Sequence, residues 1–420
     1  QAEDGIRDVE RSRGLGDVYK RQPIHNPNRR CSTVKDAHIT FFEDPKPPIP
    51  GNVVFEALTP PREIILAANP RATIEVIEGI LKAAKDTENI VILELALSEM
   101  NLEGGYTGLT PKAFAQRVRQ AAENVGWYGY VLHADHITVK KGTDEEIERV
   151  KREIKARVEA GYTSFQIDTS FLFDKTKKEV SEQLKRVCDM AIELFTYLYD
   201  LKGHRDFGRE GEVGEVGASE FTEVSEALHY VKQLQKNNID IHWMGIANGS
   251  KHGISVDAEG NIIPQLGINI KRTVEIVEAL WNNGFKTRIA QHGITGTPLY
   301  LIAEKFPKGM INKGNVGTHW MLLVYDVIRI FKPELYKKIY KWVIDKYGKE
   351  GVSEAEVFSK NCKFALKEFF HDIHNLNDDA KGAIRARAYA DTLLFIKAFG
   401  MEKTANKVYN YIKNRSIKYW

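Results

Sequence analysis

Three short pieces of this 420-residue chain, His133-Ala134-Asp135-His136, Lys251-His252-Gly253 and Gln291-His292-Gly293, each set a histidine where an apolar run stops. Imidazoles brought together at the ends of neighbouring strands can hold a catalytic divalent ion with one coordination position left open. A lone histidine is more often structural, but three at strand ends of one sheet tip the balance towards a metal. We therefore take His136, His252 and His292 as candidate ligands, with Glu212 as the carboxylate and Glu210 beside it on the same strand face. Zinc is the expected ion; manganese, nickel and cobalt suit the same donors, manganese the more so if further oxygens join. Asp135 adjoins His136 yet, on a strictly alternating strand, points differently from it. A carboxylate there can exchange a proton with a substrate hydroxyl, or else hold the ligand histidine in place.

Other strand ends add polar groups that could meet a substrate: Asp168 and Ser170, Gly253, Gly293 and Thr295, then Lys313, Asn315 and Thr318. The two glycine-bearing turns, 292–296 and 314–318, offer backbone N–H groups and small hydroxyls that fit a phosphate or sugar hydroxyls equally well. His371 and His374 also have ligand-like spacing, but without a third partner they read as capping or surface residues.

What must position these groups is a sequence that alternates apolar runs with helix-period segments, the sign of a parallel sheet wrapped by helices. Eight runs qualify as strands: 64–69, 90–98, 128–135, 164–168, 210–216, 241–247, 287–291 and 310–315. The fifth is the least regular, because Gly208, Gly211, Gly214 and Gly217 invite a loop. Helices are expected at 71–85, 111–125, 144–160, 219–236 and 271–283. Thr110-Pro111 and Thr143-Asp144-Glu145-Glu146 supply start signals for two of them. The fold class expected is α/β, a (β/α)8 TIM barrel over 61–332 with a C-terminal helical extension over 333–420. That extension carries helices at 334–346, 353–370, 380–399 and 403–413. Residues 1–22, crowded with Arg, Asp, Glu and Gly, look like a translated sequencing adapter and are set aside from function, and 23–60 form a lead-in segment.

Sixty basic and 57 acidic residues leave a formal charge of +3 without a long run of one sign, which argues against nucleic acid or anionic lipid as the main partner. No stretch approaches the roughly 20 apolar residues of a membrane span. Three cysteines, odd in number and far apart, build no disulfide framework, so a cytoplasmic enzyme is expected. Its partners would be a small-molecule substrate and further copies of itself in a homo-oligomer, with no nucleic acid and no membrane.

Over roughly 67–318 the chain resembles the class II, metal-dependent ketose-bisphosphate aldolases, with each segment in the family's order. Leu132-His133-Ala134-Asp135-His136 is similar to the HxDH motif, the segment 161–170 to the family's strand-four motif and Glu210-Gly211-Glu212-Val213-Gly214 to ExELG. Gly249-Ser250-Lys251-His252-Gly253 and His292-Gly293-Ile294-Thr295-Gly296 resemble the second and third histidine segments. Lys313-Gly314-Asn315-Val316-Gly317-Thr318 resembles the KxNxxT turn that contacts the ketose and its phosphate. The resemblance implies that Asp135 transfers protons, that His136, His252 and His292 bind the metal, and that Glu212 is an alternate ligand or supports one. Where the aldolases read HGGSG or HGASG, this chain has Ile294, a branched side chain in the turn that would wrap a phosphate. From Asn315 through His319-Trp320 to Lys332-Pro333-Glu334-Leu335-Tyr336 the sequence is similar instead to the tagaturonate and fructuronate 4-epimerases. The expected function is a ketose 4-epimerase acting on fructose and tagatose or their uronates. It would work through a metal-stabilised enediolate, by retro-aldol and aldol steps or by deprotonation at carbon 4 with Asp135 and a glutamate, Glu210 or Glu212. The alternatives are a class II fructose- or tagatose-bisphosphate aldolase and, in a different class, a non-catalytic barrel subunit that supports a partner enzyme.

Overall fold

Eight apolar segments pair in parallel and close on themselves. They are β1 (Ile65–Ala68), β2 (Val91–Ala96), β3 (Tyr130–Thr138), β4 (Ser164–Asp168), β5 (Gly208–Val213), β6 (Trp243–Ile246), β7 (Arg288–Gln291) and β8 (Ile311–Val316). In this computed structural model, which describes residues 47–203, 206–214 and 220–415, the strands follow one another around the barrel and β8 pairs with β1. The chain is a (β/α)8 barrel, as the alternation of strand and helix patterns predicts.

Helices fall close to the expected positions: Ile74–Asp86, Pro111–Val125, Asp144–Glu159, Val224–Lys236 and Ile270–Asn282. The Thr110 and Thr143 side chains accept from the N–H of Ala113 and Glu146, so both start signals act as caps. The fifth strand forms despite its glycines, for a steric reason. Helix Gly51–Ala57, within the segment read as a lead-in, lies against the starts of β4 and β5. A Cβ on Gly51 would come within 2.7 Å of Ser164 Oγ and 2.9 Å of Gly208 Cα. Glycine at 208 permits that approach, and at 211 it leaves room for Tyr230 from the covering helix. Val216, the expected end of the strand, lies outside the described residues.

Besides Gly51–Ala57, the elements that escape the sequence reading include a helix, Lys185–Lys202, between β4 and β5, the helices Leu299–Lys305 and Thr318–Phe331 on either side of β8, and a short antiparallel ribbon, Ser255–Val256 with Ile262–Ile263, inserted after β6. The extension also differs from expectation. The single helix expected over 353–370 is broken into Glu354–Asn361, a 3-10 turn at Cys362–Phe364, and Ala365–Glu368. Tyr325 donates to the Cys362 carbonyl (2.7 Å), satisfying at that turn an acceptor a continuous helix would have used internally. The other tail helices, Pro333–Tyr347, Asp378–Ala398 and Thr404–Asn414, form as expected, and Asp378–Ala398 packs along Ile74–Asp86. The contact is close because Gly79 has no side chain: a Cβ there would lie 2.7 Å from that of Ala388. One hydrophobic core runs through barrel and extension, so residues 333–415 do not form a separate core. Residues 1–22 and Cys31 lie outside the described residues. Cys188 and Cys362 are buried and free.

Candidate active site

The barrel interior is polar, and strand alternation says why. Each strand sends every second residue inward, so β2 contributes Glu94, β3 His133, β4 Gln166, β5 Glu210 and Glu212, and β8 Lys313 and Asn315. These groups form two levels. In the lower, fully enclosed one, Lys313 Nζ lies 2.7 Å from Glu210 and 2.9 Å from Glu94. His133 sits beside them, its Nδ1 2.7 Å from Ser164 Oγ and its Nε2 3.4 Å from Glu210. Burial pulls the His133 imidazole down to about 3, helped by the Lys313 charge, so it is neutral. Burial works against ionising Glu210 too, but Lys313 and His292 hold it at about 2, while Glu94 is pushed well up by burial. One ammonium thus holds one carboxylate ionised.

The upper level is the floor of an open cavity of about 760 Å3, within the size range of small-molecule sites. Here strand alternation fails. β3 bulges between Ala134 and Ile137, and His136 takes a left-handed backbone conformation (φ 39°), costly for a non-glycine residue. The bulge turns Asp135 and His136 to the same side. Asp135 Oδ1 is 2.8 Å from His136 Nδ1 and its Oδ2 accepts from Asn69 (3.0 Å), so the expectation that the two point apart is wrong. Burial alone would raise the Asp135 carboxyl, but His136 and its hydrogen bond hold it well below the usual range.

His136 and His292 lie together, ring centroids 4.4 Å apart, while the exposed His252 stands 5.7 and 6.3 Å from them and is not part of the group of ligand atoms that they form with Asp135. Glu212 Oε2 lies 3.4 Å from His136 Nε2 and 3.8 Å from His292 Nε2, and it accepts from Gln166 (2.6 Å). Gly245 makes this possible, since a Cβ there would stand 2.8 Å from Glu212 and 3.2 Å from His292. Burial opposes the His136 charge, yet Asp135 and Glu212 raise its pKa well above normal, and Glu212 is itself raised by burial and by Asp168. Among the described residues the buried His136 Nε2 has no hydrogen-bond partner, and ligand atoms of Asp135, His136 and His292 lie within 4.8 Å of one another. An unpaired nitrogen facing a second imidazole and a carboxylate is a donor set that fits a divalent cation.

Of the expected substrate residues, Asp168, Ser170, Gly253, Gly293, Thr295, Asn315 and Thr318 all line the cavity, as do Asp135, His136, Glu212, His252 and His292. Asp168 accepts from Ser170 Oγ and Thr138. Asn315 donates to Glu94 and leaves its Oδ1 without a partner. Lys313 and Glu210 do not line it: both are fully enclosed and tied to each other below the floor, out of reach of a ketose or its phosphate. Ile294 is 1% exposed and packs into the core, so it does not obstruct the turn 292–296. His374 is a capping residue, its Nδ1 against the Phe370 carbonyl and its Nε2 2.5 Å from Arg117. The sequence reading missed Asn69, Arg71, Glu99 and Gln166. Asn69 ends the expected first strand, so the rule that found Asp135 could also have found it.

The chain is thus a parallel (β/α)8 barrel with a histidine and carboxylate cluster, of a kind that could hold a metal ion, at the carboxyl ends of its strands. A family model for class II fructose-bisphosphate aldolases matches residues 62–367, and the chain belongs to that family. It is 25% identical over 177 residues to the D-tagatose-1,6-bisphosphate aldolase subunit GatZ of Escherichia coli and of Shigella flexneri. The match takes in 38% of this chain and 42% of those relatives, so the chain spans less than half their length. Solved structures share the fold at low identity. A probable tagatose 6 phosphate kinase from Sinorhizobium meliloti has TM-score 0.55 at 15% identity, covering 84% of this chain and 98% of that one. A fructose-bisphosphate aldolase from Campylobacter jejuni has TM-score 0.51 at 16% identity, covering 86% and 97%. The fructuronate-tagaturonate epimerase UxaE from Cohnella laeviribosi has TM-score 0.51 at 13% identity, covering 88% and 84%. Among the described residues no helix is long and apolar enough to cross a membrane.

Proposed function

We propose that the chain is a metal-dependent ketose 4-epimerase that interconverts sugars of the fructose and tagatose type, or their uronates, in the cytoplasm and as a homo-oligomer. His136, His252 and His292 would hold one divalent ion, zinc by preference, with Glu212 as a further or alternate donor. The observation that carries the substrate side of this reading is the enclosure of Lys313. The turns after β7 and β8 present neutral groups to the cavity, Gly293, Thr295, Asn315 and Thr318, while the lysine that would meet a phosphate is locked beneath them. Neutral polar groups suit sugar hydroxyls.

A bound ion would supply Lewis-acid stabilisation of the negative charge that develops on the ketose oxygens. Asp135, held ionised by His136 and hydrogen-bonded by Asn69, would take the proton from the hydroxyl on carbon 4 as the bond between carbons 3 and 4 opens. After the aldehyde fragment turns over, the same carboxyl returns the proton as the bond recloses with the centre inverted. Of the two glutamates considered for direct deprotonation at carbon 4, only Glu212 faces the cavity, so that variant of the mechanism falls to it.

A second reading, a class II aldolase acting on a bisphosphate, draws support from Ile294: its side chain lies in the core and leaves the glycine turn unobstructed. A non-catalytic subunit has no need of imidazoles gathered with carboxylates at the strand ends. The test is to incubate metal-loaded protein with fructose, tagatose, their uronates and fructose 1,6-bisphosphate and to identify products. A large preference in kcat/KM for the bisphosphate, with triose products, would overturn the epimerase.

A further inference from the structure

The cavity has one wall whose charge the chemistry above does not use. Arg71, just after β1, lines it together with Glu99 and Tyr106, and the extension reaches over to add Lys363 from its 3-10 turn. Glu99 is fully engaged: it pairs with Arg71 (2.5 Å) and accepts from Tyr106 (3.0 Å), Asn69 (3.2 Å) and the Ala96 N–H (3.0 Å). Among the described residues the buried Nε of Arg71 has no hydrogen-bond partner. Among the described residues no carboxylate pairs with Lys363, whose ammonium rests 5.9 Å from the Tyr106 ring and 5.2 Å from that of Phe364. Glu99 is the one carboxylate paired with this wall, Asp135 acting on Arg71 from further off, and the Lys363 ammonium has no ion-pair partner among the described residues. Burial, and after it the Arg71 charge, pulls the Lys363 ammonium down from its usual range, with Glu99 opposing.

Sugar hydroxyls require no such excess of positive charge, and unneutralised charge in an enclosed wall is costly. A guanidinium with a free N–H beside an ammonium is a donor set for carboxylate or phosphate. We propose that Arg71 and Lys363 form an anion subsite for the ionised terminus of a polyhydroxy chain whose ketose end reaches the histidines. This rests on reading the cavity as a ketose site. It narrows the substrate to a sugar with a charged end, and it gives the extension a role in recognition.

The test reads binding to metal-loaded protein by calorimetry, with three unreactive probes: glucitol, gluconate and glucitol 6-phosphate. Native protein should bind at least one of the anions roughly tenfold or more tighter than glucitol, the scale of a charge-assisted hydrogen bond. Lys363→Gln should remove most of that advantage and Lys363→Arg should keep it. A preference for gluconate points to sugar acids as the source, a preference for glucitol 6-phosphate to sugar phosphates. No anion advantage in native protein, or an advantage unchanged in Lys363→Gln, would overturn the subsite. Because turnover is not the readout, the two proposals fail separately. Lys363-dependent anion binding in a protein that forms no epimer upholds the subsite alone, and epimerisation with Lys363-independent binding overturns it alone.

Discussion

Replacing Lys313 with methionine distinguishes a structural cation from a substrate-binding one. The ammonium is fully enclosed, 2.7 Å from Glu210 and 2.9 Å from Glu94, and removing it leaves the Glu210 carboxylate buried without its counter-charge. Breaking a buried pair in this way costs about 3–5 kcal/mol. At roughly 2 °C per kcal/mol for a domain of this size, the melting temperature of metal-free protein should fall by about 6–10 °C. The loss should also depend on pH. In native protein Lys313 holds Glu210 at about 2 against the opposing effect of burial. Without the lysine, burial dominates and lifts the carboxyl above its unfolded value of about 4.3. A group raised in the folded state contributes stability that is present below its unfolded pKa and lost as pH rises through the folded one. The deficit should therefore be larger at pH 8 than at pH 5, and Lys313→Met combined with Glu210→Gln should recover most of it. Scanning calorimetry of the three proteins across that range is the assay. A Lys313→Met protein that melts within 2 °C of native at pH 8 but has lost activity would refute this reasoning and return Lys313 to the substrate.

Other expectations concern the cavity and the tail. Alanine at His136, His252 or His292 should lower bound metal, measured by elemental analysis, while circular dichroism stays near native; full occupancy in all three would remove the metal site. Asp135→Asn should retain metal and ligand binding but slow turnover by roughly a hundredfold or more, the scale of general acid–base catalysis. Near-native kcat would assign proton transfer elsewhere. Gly245→Ala should cut metal affinity, because its methyl would crowd Glu212 and His292, and an unchanged dissociation constant would contradict that packing. His374 is pulled down to about 4, first by burial and then by Arg117. Its stabilising contribution is complete above the unfolded value of about 6.5 and lost as pH falls towards 4, so native protein should lose more melting temperature than His374→Gln between pH 7 and 4.5.

Much of the fold was legible because a parallel barrel is written in local signals. Apolar runs buried on both faces, punctuated by capped amphipathic helices, gave the order of strands, and the rule that working groups sit at strand ends led to His136, His252 and His292. What stayed hidden depends on contacts between distant segments. The break at Cys362 follows from a hydroxyl on Tyr325, 37 residues away, taking the carbonyl. The glycines of β5 read as a loop until helix Gly51–Ala57 and Tyr230 are seen to need the space.

The two errors at the site have one cause: alternation gives the face of a strand but neither its local geometry nor its depth. Perfect alternation would send Asp135 and His136 to opposite faces. The bulge at Ala134–Ile137 spends backbone strain at His136 to place both in the cavity, where the carboxylate can orient the imidazole and still reach a substrate. Glu210 and Glu212 do share an inward face, but one residue pair of strand rise separates a carboxylate locked to Lys313 from one that faces the histidines. Depth along the barrel axis therefore divides residues of identical type and facing into a charged support below and a reactive layer above. The ion pair of the lower layer holds ionised the buried carboxylate that lies 3.5 Å from His292 Nε2, so the support sets the electrostatic environment in which the upper layer would take the proposed cation.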